Sequence, residues 1–149
     1  MTQKQRFIVT LQGILQENLA EAQQALSTTQ ASLGNETKST AGDKYETGRA
    51  MVQIELQKMA DQRDKIDLQL QTLARVDAHL ICSTVEFGSF IETAHEQYFV
   101  AIGLGKVTFE GRTCYAISLD SPIGKALKGK KVGDTIPFQG RMLEIRAIS

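Results

Sequence analysis

The side chains that could act as nucleophiles or metal ligands are few in this sequence and lie far apart. The two cysteines, Cys82 and Cys114, form no CxxC pair, and neither His79 nor His95 has a partner at metal-ligand spacing. The sequence also contains no Ser–His–Asp set, phosphate-binding glycine loop or dinucleotide-binding motif. We therefore expect buried, reduced thiols, no metal, no cofactor and no enzymatic activity.

Basic residues are concentrated in one short stretch, which contains Lys125, Lys128, Lys130 and Lys131. Over the whole chain, 17 basic residues balance 17 acidic ones. This balance disfavours a general nucleic-acid binder, which needs surplus cations to displace counterions from phosphates. The lysine cluster is therefore either a solvated turn or a local contact for an acidic protein surface or nearby nucleic acid.

The lysine cluster lies inside DSPIGKALKGKKVGDTI, residues 120–136, whose pattern is that of a short capped helix. Ser121 is a favourable N-cap, and Pro122 suits the first helical position, where no backbone N–H is needed. Gly129 would end the helix. The side chains that would face inward are Ile123, Ala126 and Leu127. Folding alone accounts for nearly every residue here, so the pattern predicts a structure and leaves its purpose open.

Composition changes along the chain near residues 77–80. The earlier part has no proline and is rich in Gln, Glu, Ala, Leu and Lys, which favour helices. The later part holds eight of the twelve glycines and most of the aromatic residues. This change predicts two domains, residues 1–78 and residues 79–149.

The first part carries two apolar stripes whose members lie three or four residues apart, as on one face of a helix. The first stripe is Ile8, Leu11, Leu15, Leu19, Ala22 and Leu26, and the second is Val52, Leu56, Met59, Ile66, Leu70 and Leu73. The polar segment 32–46 separates them, so the pattern predicts an antiparallel coiled-coil hairpin with its tip near residues 33–42. We expect a monomer with arms of about 28 to 35 residues, which would be about 40 to 50 Å long.

The second part contains stretches of strand-like composition, at residues 87–94, 97–105, 112–118, 135–138 and 142–148. FEGRT and FQGRM are hairpin-turn candidates between them. We expect a small curled antiparallel sheet with one short helix against it, and hence an α+β fold for the whole chain. The sequence shows no signal peptide and no long apolar run, which predicts a cytoplasmic protein without membrane contact.

The segment ISLDSPIGKALKGKKVGD, residues 117–134, resembles the pattern ISxxSPIAxALxGKxxGD of the bacterial Gre transcript-cleavage and elongation factors. EQYFVAIG, residues 96–103, resembles the strand that precedes this pattern in the family. The N-terminal part is similar in architecture, with a Tyr-Glu…Gly-Arg-Ala neighbourhood like the family's helix start. Gre factors have an antiparallel coiled coil followed by an FKBP-like globular domain, and the resemblance implies the same fold here.

The resemblance further implies an elongation regulator whose coiled coil enters the secondary channel of RNA polymerase. In the family, an Asp/Asn-Ser-Pro corner takes part in docking on the polymerase, and the matching positions here are Asp120, Ser121 and Pro122. Acidic tip residues of the family help to hold a catalytic Mg²⁺ and a water for cleavage of backtracked RNA, a task that needs anionic oxygen ligands. RNA polymerase is the implied partner, with indirect contact to nucleic acid in the elongation complex.

The tip of this chain departs from the family's GDLSENAEY pattern. When the two are aligned on Tyr45, the acidic positions fall on Lys38 and Ala41, which cannot ligate Mg²⁺ as carboxylates do. Three acidic residues remain near the tip, and helix capping or solvation would explain their positions as well as a role in holding Mg²⁺ would. These acids are Glu36, Asp43 and Glu46. We therefore expect polymerase binding with weak or absent stimulation of cleavage.

Two other functions remain open from the sequence. ALKGKKVGD, residues 126–134, is also similar to the ALxGxxxGD turn of FKBP-type proteins, so a prolyl isomerase or chaperone is one alternative. The absence of Trp, together with aromatic residues mostly at expected strand-core positions, disfavours it. The other alternative is a coiled-coil scaffold or dimerising protein that does not contact polymerase.

Overall fold

The computed structural model describes residues 1–36 and 43–149, except for the side chains of residues 33–36 and 43–47. Two long helices open the chain, α1 over Gln3–Glu36 and α2 over Asp43–Ala74. Their lengths of 34 and 32 residues confirm the expected helical arms. The helical backbone of α1 extends into the predicted tip as far as Glu36, and residues 37–42 lie outside the described part. No helix in the described part is long and apolar enough to cross a membrane.

The chain divides into two compact units. We call Gly13–Leu70 the hairpin unit, and Met1–Gln12 together with Gln71–Ser149 the globular unit. The first turns of α1 and the last turn of α2 therefore belong to the globular unit. The boundary expected between residues 78 and 79 was based on composition and stays a prediction.

The buried side chains among the described residues of the hairpin unit all belong to the apolar stripes. Leu15, Leu26 and Ile66 are buried, and the stripe residues between them are half-buried. Residues 19 and 23 of α1 share a groove with residues 63–67 of α2, whereas residues 26 and 30 share one with residues 53–63. Later residues of α1 thus lie beside earlier residues of α2. The two helices are antiparallel, as the stripes predicted.

The fully described residues 71–149 contain seven strands in two sheets. The larger sheet has the order β3-β4-β2-β1-β7, and β5 pairs with β6 in a separate two-stranded sheet. The short helix α3 covers Pro122–Leu127, between β4 and β5 in the chain. The strand bounds are β1 Phe90–Glu92, β2 Gln97–Val100, β3 Gly105–Phe109, β4 Arg112–Ile117, β5 Thr135–Phe138, β6 Arg141–Glu144 and β7 Ala147–Ile148. Helices followed by a mostly antiparallel sheet confirm the α+β fold class.

The strand pairing differs from the expected antiparallel neighbours at one place. β2 and β4 run parallel, with Tyr98 opposite Tyr115. The predicted strand 97–105 ends at Val100, and the chain then forms the additional edge strand β3 before β4 returns between β3 and β2. Because β3 comes between β2 and β4 in the chain, the chain reverses direction twice, and β4 runs parallel to β2.

The predicted strand 142–148 is also divided in two. β6 pairs with β5, but the backbone of the next residues turns to other partners. The N–H of Ile145 donates to the Asp134 carbonyl at 3.0 Å, and the N–H of Arg146 donates to the Glu92 carbonyl at 2.8 Å. These bonds lead the chain from the small sheet to the edge of the large one, where β7 pairs with β1.

Side chains of the large sheet alternate in direction, and both faces pack against other parts of the globular unit. On one face, Tyr98, Val100 and Ile117 join a buried apolar cluster with Ile123 and Leu127 of α3. On the other face, the Phe7 ring of α1 meets the rings of Phe90, Phe99 and Phe109 edge-on, at centroid distances of 5.8, 5.5 and 5.0 Å. The sequence stripes did not include Phe7, which is fully buried.

Polar bonds also attach the first turn of α1 to the rest of the globular unit. The buried Lys4 ammonium donates to the Leu80 carbonyl at 2.8 Å, and burial lowers the pKa of this lysine, although Cys82, Asp77 and Glu86 oppose the shift. The Arg6 guanidinium donates to the Glu110 carboxylate at 2.6 Å. The start of α1 is thus held by apolar and by charged contacts.

Candidate protein-docking site

The predicted Asp-Ser-Pro corner forms the start of α3. The Ser121 hydroxyl accepts a hydrogen bond from the Gly124 N–H at 3.1 Å and donates to the Ser118 carbonyl at 2.7 Å. Pro122 occupies the first turn, as expected from its missing N–H. The hydroxyl of Ser121 therefore holds the corner together, while Asp120 and Pro122 are exposed at the surface.

Gly124 makes this corner unusually tight. A Cβ atom at this position would lie 2.0 Å from the Ser118 carbonyl oxygen and 2.9 Å from the Leu119 Cα. Both are backbone atoms, so a side chain at this position requires the helix or the preceding turn to move. The similar family pattern has Ala at the matching position, and the sequence alone did not reveal that this chain needs glycine here.

An apolar cavity of about 250 Å³ lies next to the corner. Ile123, the residue after Pro122, contributes to its wall, so that corner and cavity are continuous along the chain. Tyr98 and Tyr115 stack in it with centroids 5.5 Å apart and an interplanar angle of 24°. The residues lining the cavity are Tyr98, Tyr115, Ile117, Ile123, Phe138, Gln139 and Arg141.

Two polar side chains of the cavity wall, Tyr98 and Arg141, are engaged with the buried Glu96. The Tyr98 hydroxyl donates to the Glu96 carboxylate at 2.9 Å, and Arg141 forms an ion pair with the same carboxylate. Burial, followed by the hydrogen bond to Glu96, raises the pKa of the Tyr98 phenol. The cavity thus offers apolar and aromatic walls with a neutralised polar rim, which suits an apolar side chain rather than a charged ligand.

The sequence does not predict this cavity. Tyr98, Tyr115 and Phe138 are among the aromatic residues expected at strand-core positions. The usable signal was the alternation of side chains in β2 and β4, which places both tyrosines on the same side as Ile117. Only the position of α3 and of the β5–β6 sheet shows that this side is incompletely filled.

The predicted basic cluster is exposed, and it does not line the cavity. Lys125 lies in the last turn of α3, and the others follow that helix. None of the four lysines forms an ion pair with any residue that the structure describes. The four are Lys125, Lys128, Lys130 and Lys131.

The predicted acidic tip lies at the edge of the described residues. Glu36 is the last residue of α1 and Asp43 the first of α2, and Glu46 lies in the first turns of α2. The side chains of all three lie outside the described residues, as do Lys38 and Ala41. In the part of the chain that the structure describes, no three His, Cys, Asp or Glu side chains are grouped so that they could hold a metal ion.

The comparisons with known proteins found similar chains among the solved structures. No protein-family model matches this chain, and no curated protein matches it. Among solved structures, the chain is similar to one described as the structure of the transcription factor Gfh1, with 20% identity and a TM-score of 0.36. The similarity covers 91% of this chain and 89% of that one. At this identity and score, no family is assigned to the chain.

Proposed function

We propose that this protein is a transcription regulator that binds RNA polymerase through the surface formed by the corner and the cavity. The observation that carries the proposal is that an exposed Asp120–Pro122 corner, held by the Ser121 cap, adjoins an aromatic cavity of about 250 Å³. The Gre-like segment 117–134 supports it, because its Asp-Ser-Pro positions fall on this corner. This role places the protein in the cytoplasm, with RNA polymerase as its partner.

The chemistry of the surface fits protein docking better than catalysis. Asp120 can accept hydrogen bonds or pair with a cation of the partner, and Pro122 offers a rigid apolar edge with little entropy to lose. The cavity can receive one apolar side chain from the partner, which is the usual form of a binding hot spot. An apolar anchor beside the exposed Asp120 carboxylate gives both affinity and orientation.

The corner is tested by binding to core RNA polymerase. The double variant Asp120→Ala, Pro122→Ala should keep its circular dichroism spectrum, because both side chains are exposed, and should bind about 10-fold more weakly, a change of about 1.4 kcal/mol. A Lys106→Ala, Thr108→Ala variant on the exposed side of β3 serves as the matched control and should bind like the wild type. Unchanged binding by the corner variant would remove the docking role.

We further propose that the hairpin unit occupies the secondary channel of the polymerase as a monomer, and that it stimulates cleavage weakly or not at all. The motivation is the sequence of the tip, where Lys38 and Ala41 stand at the family's acidic positions. Lysine near a catalytic Mg²⁺ is repelled more strongly as the local dielectric constant falls. Robust cleavage of a backtracked transcript, lost in a Glu36→Ala, Asp43→Ala variant, would show instead that these carboxylates act as a relocated acidic pair.

A second candidate is binding of proline-containing peptides, as in FKBP-type isomerases or chaperones. The aromatic cavity favours it, since apolar aromatic walls suit a proline ring. Catalysed isomerisation of a proline peptide, lost when Tyr115 is replaced by Ala, would support this candidate. Polymerase binding without isomerase activity would favour the first.

A further inference from the structure

A second surface of the globular unit combines exposed apolar side chains with lysines. Ile81, Val132 and Phe87 expose 83%, 55% and 37% of their surface, although each is a large hydrophobic residue. We call these three, together with Lys128, Lys130 and Lys131, the basic–apolar surface. None of these residues belongs to the corner or lines the cavity, so this surface shares no residue with the proposed polymerase-docking site.

Backbone pairing brings the two halves of this surface together. The N–H of Val85 donates to the Lys130 carbonyl at 2.8 Å, and the N–H of Gly129 donates to the Val85 carbonyl at 2.9 Å. Thr84 and Lys131 form an antiparallel bridge. Residues 84–85 therefore run beside residues 129–131 in the opposite direction. Ile81, Phe87 and Val132 lie one to three residues along the chain from these paired positions.

The backbone under this surface is fixed on both sides. The buried Lys4 ammonium donates to the Leu80 carbonyl at 2.8 Å, directly before Ile81. On the other segment, the Asp134 carboxylate accepts from the Lys131 N–H at 2.9 Å, and the Gly133 N–H donates to the Ile145 carbonyl at 2.8 Å. Apolar side chains exposed on a fixed backbone lose little entropy when a partner covers them.

The charges of the surface indicate the chemistry of the partner. Its three lysines make no ion pair with any residue among 1–36 and 43–149 that the structure describes. Glu86, next to Phe87, adds an exposed carboxylate near the lysines, and the Asp134 carboxylate accepts from the Lys131 N–H. A uniformly anionic partner, such as a phosphate backbone or an acidic membrane, would meet these carboxylates, whereas a peptide can direct discrete acids at the lysines.

We propose that the basic–apolar surface binds a segment of a partner protein in which acidic residues alternate with apolar ones. The apolar side chains of that segment would cover Ile81 and Val132, and its carboxylates would pair with Lys130 and Lys131. This interaction goes beyond the proposed docking on polymerase, because it uses other residues and is defined by the partner's charge pattern.

The test measures fluorescence anisotropy of a labelled peptide of DLEF repeats with the full-length protein. A peptide of DSES repeats has the same charge without apolar side chains, and a peptide of KLKF repeats reverses the charge. We expect the DLEF peptide to bind, with weaker binding at high salt because charge pairs are screened. We expect the DSES and KLKF peptides to bind about 10-fold more weakly or not at all.

Variants assign the binding to this surface. Ile81→Ser with Val132→Ser, and Lys130→Glu with Lys131→Glu, should each weaken binding of the DLEF peptide about 10-fold or more. Met142→Ser and Lys106→Glu change exposed residues outside the surface and should have no effect on binding. Asp120→Ala with Pro122→Ala should also bind the peptide normally, which separates this proposal from polymerase docking.

Three results would overturn the proposal. They are absence of DLEF binding, equal binding of the DSES peptide, or tighter binding of a single-stranded RNA or of phosphatidylserine vesicles that the same variants abolish. The last result would identify a phosphate-bearing partner in place of an acidic protein segment.

Discussion

Replacement of Phe7 by Ala should destabilise the globular unit strongly, although Phe7 lies at the start of a helix that continues into the hairpin unit. Its ring is fully buried and meets three other phenylalanine rings within 6 Å. Loss of a buried Phe ring costs about 3–5 kcal/mol, including the cavity that remains and the lost ring contacts. Since domains of this size have total stabilities of about 5–15 kcal/mol, the variant should lose about a fifth of its stability or more.

The assay is urea denaturation followed by tyrosine fluorescence in a Tyr45→Phe background. The chain has three tyrosines, and in this background only Tyr98 and Tyr115 of the globular unit remain. The matched control is Val9→Ala, two residues further along α1, where the side chain is 53% exposed and the expected change is below about 0.5 kcal/mol. A loss below about 1 kcal/mol for Phe7→Ala, or one equal to the control, would refute the assignment of the α1 start to the core of the globular unit.

Three further predictions test other features of the globular unit. Gln97→Leu should raise the free energy of unfolding by about 1–3 kcal/mol. The Gln97 side chain is fully buried, and neither its amide oxygen nor its amide nitrogen has a hydrogen-bond partner in the described part of the chain. A lower urea midpoint for this variant would contradict the prediction. Gly124→Ala should lower the free energy of unfolding by about 1–3 kcal/mol, although Ala favours helices, because the new Cβ would lie 2.0 Å from the Ser118 carbonyl oxygen. Gly103→Ala is the neutral control, since a Cβ at that position would have no atom within 4 Å. Stability should fall above about pH 9 by up to about 1.4 kcal/mol per pH unit for each group concerned, because the native state retains protons that the unfolded chain releases. Burial raises the pKa of the Cys114 thiol to about 12, and it also raises the pKa of the Tyr98 phenol. In Cys114→Ala this decline should be shallower in thermal unfolding between about pH 9 and pH 11, and an unchanged slope would count against the buried thiol.

The features that the sequence determined are local ones. The apolar stripes predicted both long helices, because spacing of three or four residues places side chains on one helix face regardless of the remaining fold. The polar segment 32–46 between the stripes predicted their antiparallel pairing. The cap at Ser121 and the turn at Pro122 were equally readable, since a capping hydrogen bond joins residues three positions apart. The exposed corner of the candidate site was therefore predictable.

Tertiary structure decided the features that join distant parts of the chain. Phe7 meets Phe109 across more than a hundred residues, and nothing in the α1 stripe distinguishes Phe7 as part of the sheet core. The parallel pairing of β2 and β4 depends on the edge strand β3, which the glycine-rich sequence after Val100 did not reveal. The cavity exists because α3 and the β5–β6 sheet leave part of one sheet face uncovered, and the basic–apolar surface exists because Thr84 pairs with Lys131. Local patterns fix hydrogen bonds and faces within a few residues, whereas packing selects which of many apolar faces meet, and that choice depends on the whole chain at once.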